Sequence, residues 1–517
     1  MLKKLLKSEI KLNSRQKTAL YITLVYAVIT FLLCMKHEMW SDELNVWMAI
    51  KHYSFPELIK FSSEAGNPIF FFLPLLPFIK LGFSAHFIQI FCWLCSVSAV
   101  FLLNFLAPFG TVTKILITFG APMLYHYSVM ARCYSVLPPL MFLTAVLYPY
   151  ICLQESAESC KTDRDSILLK NTAVILYACC IAAIACTHII TFVFVAGLTA
   201  LFVYKNIIKN KKRSRYEWAA AAIMTAGIII VTAQTLYALS VNTVFDHIPI
   251  TADGIKYALT DFFTSMTDGL NTRLFRYYKA NSLTTNCFPA VMATAFCIET
   301  FFLYKINRFY AIITLGTFLF YLYISITSYG AVYPYRSYTL LITIISLLWT
   351  EKNRIETNVT VQDKKKKFPA IKAAEYLTAF MMFLTFPTGI ETAAEDWKKN
   401  FSSGFETADF IKKNIPASDK NVIISTMLPI AFYLNDRPVY YEYEKRLLTI
   451  MIKKNADINL TDFAHRYDNI YVVLSGLQKD LIKGQTLLYE SPEAMSPAER
   501  FYVYKFSIPD YIAETAN

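Results

Sequence analysis

Three acidic side chains, Glu38, Asp42 and Glu43, fall inside one short stretch, HEMWSDELNVW at 37–47, between two tryptophans and beside a histidine. The stretch follows directly on the chain's first long apolar run, TALYITLVYAVITFLLCM. Carboxylates are costly to keep at a membrane surface unless something uses them. An adjacent pair has two chemical uses: a general base, or ligands to a divalent cation, Mg or Mn, that grips a phosphate. The plain alternative is a solvated loop whose tryptophans, Trp40 and Trp47, anchor at the interface. Residue chemistry alone leaves both readings open, and Glu38 reads as a solvated flank.

Further polar groups interrupt apolar sequence downstream. Glu64 and Asn67 lie in SSEAGNPIFFF, where Asn67-Pro68 marks a turn or a helix start. Arg132 and Tyr134 lie in VMARCYSVLPP, and an arginine in such surroundings needs an anionic partner, either a phosphate or an acidic side chain. His126 in LYHYS reads as packing among tyrosines. His188 in ACTHIITF is either a satisfied residue of a helix bundle or part of a site. Arg336 in AVYPYRSYTLL, among Tyr333, Tyr335 and Tyr338, either snorkels to lipid headgroups or binds a lipid-linked phosphate, whose oxygens fit the guanidinium fork. No GxxxxGK[ST] or GxGxxG loop supports nucleotide-driven chemistry.

The elements that must position these groups are membrane helices. The chain has 517 residues, 55% hydrophobic and 17% charged, with a mean hydropathy of +0.39. Apolar runs of roughly 18 to 25 residues match a bilayer core, and spanning segments are expected at 19–36, 86–106, 112–130, 133–152, 217–238, 286–304, 309–328, 333–350 and 370–387. The net charge of +12 sits in short basic clusters between these runs, the positive-inside pattern, and argues for no nucleic-acid partner. By that rule the N-terminus and the loops at 205–216, 305–308 and 351–369 are cytoplasmic. The number of crossings between 67 and 205 must then be odd, so either 68–82 fails to span or 171–204 is one long crossing. The first alternative is expected, because it puts Arg132 and His188 on the side of the acidic stretch. Most of the eleven cysteines fall inside apolar runs and read as small buried hydrophobes. In the outer loop 239–285, which carries Asp246, His247, Asp261, Asp268, Arg273 and Arg276, DGIKYALTDFFTSM suggests a helix lying on the membrane.

After residue 388 the texture changes. FSSGFETADFIKKN places Phe401, Phe405, Ala408 and Ile411 at helical spacing, and NVIIST, AFYL, PVYYEY, NIYVVLS and FYVYKF read as strands. The expected architecture is an all-α polytopic membrane bundle of about 11–12 helical segments over 1–388, with outer loops 37–67 and 239–285. A small α/β or α+β extracytoplasmic domain is expected over 389–517.

The order of these motifs resembles the polytopic glycosyltransferases of the C superfamily, the class of the protein O-mannosyltransferases and aminoarabinose transferases, and more closely a bacterial branch of it. The carriers are Ser41-Asp42-Glu43 after the first helix, Glu64 to Pro68 before the second, Ala131-Arg132-Cys133-Tyr134, and YRSY at 335–338. Asn67 stands where that branch has histidine, and the His-Trp-Gly run that follows the late arginine there is missing after Arg336. The resemblance implies a transferase in the bacterial inner membrane that moves a sugar from a polyprenyl-phosphate donor to a lipid or glycan acceptor of the envelope. By it, Asp42 is the general base, and Arg132 and Arg336 neutralise the departing phosphate. Glu43 and Glu64 orient the acceptor or hold a cation, and Asn67, Tyr134 and His188 complete the substrate-binding set. The rival classes are a transporter or flippase of lipid-linked sugars and an envelope scaffold. A transporter calls for charged or broken helices at mid-membrane depth, whereas the polar groups here gather at helix ends on one side.

Overall fold

The computed structural model describes residues 13–64, 68–152, 164–209, 214–240, 250–275, 287–329, 333–358, 361–418, 420–425, 427–434, 439, 467–479 and 485–506. The first apolar run forms α1 (Ser14–Lys36), which opens on a capping box between Asn13 and Gln16 and turns Leu24, Val28 and Leu32 outward to lipid. The acidic stretch then folds as α2 (Ser41–His52), followed by α3 (Phe55–Glu64). Residues 68–82 make only a 3-10 turn, Ile69–Phe71, and the five-residue α4 (Leu76–Lys80). Pro68, Pro74 and Pro77 withhold the amide donors a longer helix needs, so this segment does not span, as expected. The candidate spans among the described residues between 67 and 205 are nonetheless four and not an odd number, because 112–130 also fails to form one helix.

Next come α5 (His86–Leu106) and α6 (Thr111–Phe119). Here the expected span 112–130 is corrected. α6 is nine residues, about 14 Å, because Gly120 leaves the helix in an extended conformation and Pro122 opens a wide turn, Pro122–His126. Residues 120–138 are all buried, so this irregular backbone lies inside the bundle, where non-helical chain is tolerated. α7 (Leu137–Cys152), α8 (Arg164–Ala185) and α9 (Phe192–Phe202) follow. The long run 171–204 is thus two helices, broken at Cys186–His188. The break is satisfied locally: the His188 ring accepts the Ile190 N–H at 3.2 Å, and the Thr191 hydroxyl donates to Ile184 O at 3.0 Å and His188 O at 2.9 Å. The Cys186 carbonyl, freed by the same break, accepts the Phe70 N–H at 3.2 Å.

α10 (Arg215–Ser240) precedes α11 (Ala252–Phe275), the helix expected in the outer loop. It buries Ala258, Phe262, Phe263 and Met266, with both phenylalanines against Phe318, so its apolar stripe serves the bundle rather than the lipid. Asp246, His247 and Arg276 lie outside the described residues. α12 (Cys287–Ile306), α13 (Arg308–Ile324), α14 (Pro334–Asn358) and α15 (Val361–Lys399) complete the bundle. Eight helices among the described residues are long and apolar enough to cross a membrane. α14 and α15, which hold the expected segments 333–350 and 370–387, are long but charged toward their ends, and are not among the eight. α14 is buried all round from Ser337 to Glu351 and forms the bundle's centre. α15, 39 residues and about 58 Å long, runs unbroken past position 388 to Asn400, which turns the chain in a left-handed conformation (φ 55).

Beyond it, α16 (Gly404–Asn414), β1 (Asn421–Ser425), α17 (Leu428–Tyr433), β2 (Asn469–Ser475), β3 (Thr486–Glu490) and β4 (Phe501–Phe506) form a small α/β unit. The sheet order is β1-β2-β4-β3, with β1 and β2 parallel and the other neighbours antiparallel. α16 buries Ala408 and Ile411 against Ile423, Val473, Phe501 and Val503. Three strand expectations hold. AFYL instead belongs to α17, which Pro429 starts as a helix. TLLYE is a strand that the sequence reading passed over, and PVYYEY lies outside the described residues apart from Val439. Phe401 precedes α16 and packs its ring 5.3 Å from His37 and 5.5 Å from Trp40, and Phe405 is exposed.

Candidate active site at one end of the bundle

α2 begins at Ser41, just after its cap residue Trp40, so Asp42 and Glu43 occupy its first turn, where the helix dipole favours negative charge. Consecutive helical residues point about 100° apart, which separates the two acids. Asp42 faces Arg132 and forms an ion pair with it, the two side chains 21% and 8% exposed. The Arg132 guanidinium also stands 5.6 Å from the Trp40 ring. Asp42, Asn45, Arg132 and Cys133 line a narrow cleft whose apolar wall is Phe61, Phe71 and Phe72.

Glu43 turns inward and is fully buried. One carboxylate oxygen accepts from the Ala131 N–H at 2.5 Å, and the other from the Trp40 N–H at 3.2 Å and His37 Nε2 at 3.1 Å. His37 Nδ1 lies 2.7 Å from Asp396 of α15, which also accepts the Tyr125 hydroxyl at 2.8 Å. Burial opposes charge on His37, but the flanking Asp396 and Glu43 carboxylates outweigh it and hold the imidazolium well above its ordinary value.

A second cluster adjoins the first through the 132–134 segment. The Tyr134 hydroxyl lies 2.9 Å from His188 Nε2 and accepts from Arg336 Nε at 2.9 Å. Because His188 Nδ1 already accepts the Ile190 N–H, Nε2 carries the ring's proton and donates to Tyr134. The Arg336 guanidinium rests 4.9 Å from the Tyr333 ring and 5.6 Å from the Tyr335 ring. Asp42, Glu43, Arg132, Tyr134, His188 and Arg336, far apart in sequence, therefore meet at one end of the bundle. Glu64 accepts from Tyr237 Oη at 3.3 Å and lies 3.8 Å from Lys60, and Asn67 lies outside the described residues. His126 packs between Tyr125 and Tyr338, as its flanks suggest.

The C-terminal unit docks on the same end. Glu499 Oε1 accepts the Ser41 hydroxyl at 2.7 Å and N–H at 3.3 Å, and Oε2 accepts the Ser402 hydroxyl at 2.8 Å. Burial pushes its carboxyl up to about 7 against these bonds, with the Asp42 charge adding to the rise. Glu38 is not the solvated flank expected of it: it accepts the Phe405 N–H at 2.9 Å at the start of α16, and burial pushes it up to about 8. His37, Asp396 and Glu499 escape the sequence reading. His37 abuts the acidic motif, a signal that could have been used, but Asp396 and Glu499 sit in charged stretches with no distinguishing neighbour.

For a divalent cation the donors do not fit. Asp42 is turned to a guanidinium and both Glu43 oxygens are engaged. Among the described residues no group of three or more His, Cys, Asp or Glu is arranged as a metal site.

This architecture, a polytopic helical bundle with a small α/β unit seated over a buried charged cluster, has a counterpart in fold among solved membrane proteins. The likeness extends over nearly the whole chain to the crystal structure of ArnT from Cupriavidus metallidurans bound to undecaprenyl phosphate, at 11% identity and a TM-score of 0.50, covering 94% of this chain and 97% of that one. The apo crystal structure of ArnT has the same identity and coverage and a TM-score of 0.41. No family model and no curated protein sequence matches the chain.

Proposed function

We propose that this multi-pass membrane protein is a glycosyltransferase that moves a sugar from a polyprenyl-phosphate donor to a hydroxyl of a cell-envelope acceptor. The observation that carries the reading is the Asp42–Arg132 pair beside Tyr134, His188 and Arg336: a carboxylate and two guanidiniums converging at one end of the bundle. Asp42 takes the proton from the acceptor hydroxyl, whose oxygen attacks the anomeric carbon. The bond from that carbon to the phosphate oxygen breaks, and the polyprenyl phosphate leaves with the electron pair. Arg132 and Arg336 meet its charge. An arriving donor phosphate competes with Asp42 for Arg132, so donor binding releases the base. Glu43 positions the pair without touching substrate, and no step is routed through a metal. In this reading the site faces outward from the bacterial inner membrane, the N-terminus is cytoplasmic, and the domain over 389–517 lies outside and helps hold a lipid or glycan acceptor. ArnT binds undecaprenyl phosphate in its crystal structure, which supports a polyprenyl phosphate as the carrier.

One observation favours a second reading. The buried backbone breaks at 120–136 and 186–191 are features of transporters, whose substrates bind at interrupted helices. Envelope glycans of a deletion strain, compared with the same strain restored by wild type or Asp42→Asn, separate the two. A transferase loses one sugar and its linkage, and Asp42→Asn fails to restore them. Full restoration by Asp42→Asn removes the base, and accumulation of the finished glycan on the wrong side of the membrane favours transport.

A further inference from the structure

We propose that His37 is a positioning residue: held between Asp396 and Glu43, it locks the alignment of Asp42 with Arg132. The catalytic meaning of that alignment rests on the reading above, but the alignment itself is a separate claim.

The chemistry of the ring comes first. Nδ1 faces Asp396 at 2.7 Å and Nε2 faces Glu43 at 3.1 Å, and an ionised carboxylate only accepts. Both ring nitrogens therefore carry protons, and the imidazolium is a buried cation between two buried anions. The His37 side chain is 0% exposed and the carboxylates of Glu43 and Asp396 are 0% and 3% exposed. At that burial His37 cannot meet a substrate, so any effect on the reaction passes through its partners.

The route is short. Glu43 joins two backbones: it sits on α2 and accepts the Ala131 N–H from the irregular segment after α6. Asp42 is the residue before Glu43, and Arg132 is the residue after Ala131. One carboxylate thus pins the two segments that carry the ion pair, each at the neighbouring position. Its second oxygen takes the Trp40 N–H, which belongs to the start of α2 itself, and His37, which is the group that ties that oxygen to another element. His37 is itself fixed by α15 through Asp396, which Tyr125 steadies from the same irregular segment. Four parts of the chain are tied at this point: the end of α1, the start of α2, the end of α15, and residues 125–131.

A bundle that needed only packing here would be served by apolar side chains, which often stabilise as well as a buried charged triad. The triad adds direction, because charge-assisted hydrogen bonds have narrow geometry. Phe401 lies 5.3 Å from the His37 ring, so the link from α15 to the C-terminal unit rests on the same residue.

The test uses the full chain in detergent and two readouts. Thermal unfolding of Asp42→Asn, Arg132→Gln and the double variant gives the coupling between the pair. The expected result is a clear coupling in the wild-type background that disappears with His37→Gln, and again with Asp396→Asn, which reaches the triad from its other side if His37→Gln does not fold. Coupling that survives both substitutions overturns the proposal. The second readout is sugar transfer with the donor found from the deletion strain. His37→Gln should lower kcat on the order of 100-fold, with a much smaller change in the donor KM, and should cost nothing further in an Asp42→Asn background. If coupling is lost in His37→Gln while Asp42→Asn keeps full transfer, positioning stands and the base assignment fails.

Discussion

Replacing Glu499 by glutamine should flatten the pH dependence of the joint between the C-terminal unit and the bundle. Glu499 is 1% exposed and accepts three hydrogen bonds, two from Ser41 and one from Ser402. Burial nonetheless pushes its carboxyl from 4.5 up to about 7. A carboxyl whose pKa is higher folded than unfolded binds a proton on folding, so its stabilising contribution is complete below about 4.5 and is lost as the pH rises through 7. At ~1.36 kcal/mol for each pH unit, the loss amounts to about 3 kcal/mol. Glutamine keeps an oxygen for Ser41, offers an N–H to Ser402 and carries no charge. Wild type should therefore fall in Tm between pH 5 and 8, and Glu499→Gln should fall distinctly less over the same interval. A shallower slope should remain in the variant, because burial holds the Glu38 carboxyl at about 8 and its contribution is lost with the same sign at higher pH. The assay is thermal unfolding of the purified full chain in detergent at half-unit pH steps, read together with protease cleavage between α15 and α16. Parallel curves for wild type and variant would refute the reasoning, because the buried carboxyl would then not be the group that loses its proton.

Four further outcomes are expected. Arg336→Ala should weaken binding of a polyprenyl monophosphate by at least about tenfold, the scale of one charge-assisted contact, and unchanged binding would remove Arg336 from the phosphate site. Gly227→Ala should destabilise by about 1–3 kcal/mol, because its new Cβ would stand 2.8 Å from the Ala182 backbone across the α8–α10 contact, where neither helix can yield; an unshifted Tm would show that they can. Glu375→Ala strands Lys352 and the Gly110 N–H, which Glu375 takes at 2.5 Å and 2.7 Å; breaking such a buried pair costs about 3–5 kcal/mol, measurable as a lost or strongly lowered unfolding transition. A reporter fused after Asn414 should be active only outside the cytoplasm, and a cytoplasmic signal would reverse the proposed topology.

The parts of the fold that were legible in the sequence were those written in long apolar runs. α1, α5, α10, α12 and α13 begin and end close to where hydropathy places them. The run 112–130 misled because hydropathy reports burial, not backbone geometry: Gly120 and Pro122 break the helix, yet every residue from 120 to 138 stays buried and apolar enough to resemble a span. Strands with continuous burial, β1, β2 and β4, were readable, whereas β3 shows the exposed pattern of an edge strand and carried no such signal. At the candidate site, Asp42, Arg132, Tyr134, His188 and Arg336 were found because charge or imidazole stands out against apolar neighbours. Asp396 and Glu499 stand among other charged residues, and only three-dimensional proximity separates them from a solvated surface. Glu38 shows the converse: a residue that looks like a flank becomes an acceptor once a distant helix starts beside it.

The hydrogen bond from Phe70 to the Cys186 carbonyl ties two of the bundle's irregular parts into a matched set. The prolines that shorten 68–82 and the break between α8 and α9 look like separate defects, yet the turn at Ile69–Phe71 supplies a donor where the break leaves an acceptor. During synthesis the turn leaves the ribosome before its partner exists, and it cannot be sealed against lipid until α8 has entered and ended. A substitution that straightens either element, such as replacing Pro68 or extending α8 through His188, should be felt as misassembly of the other.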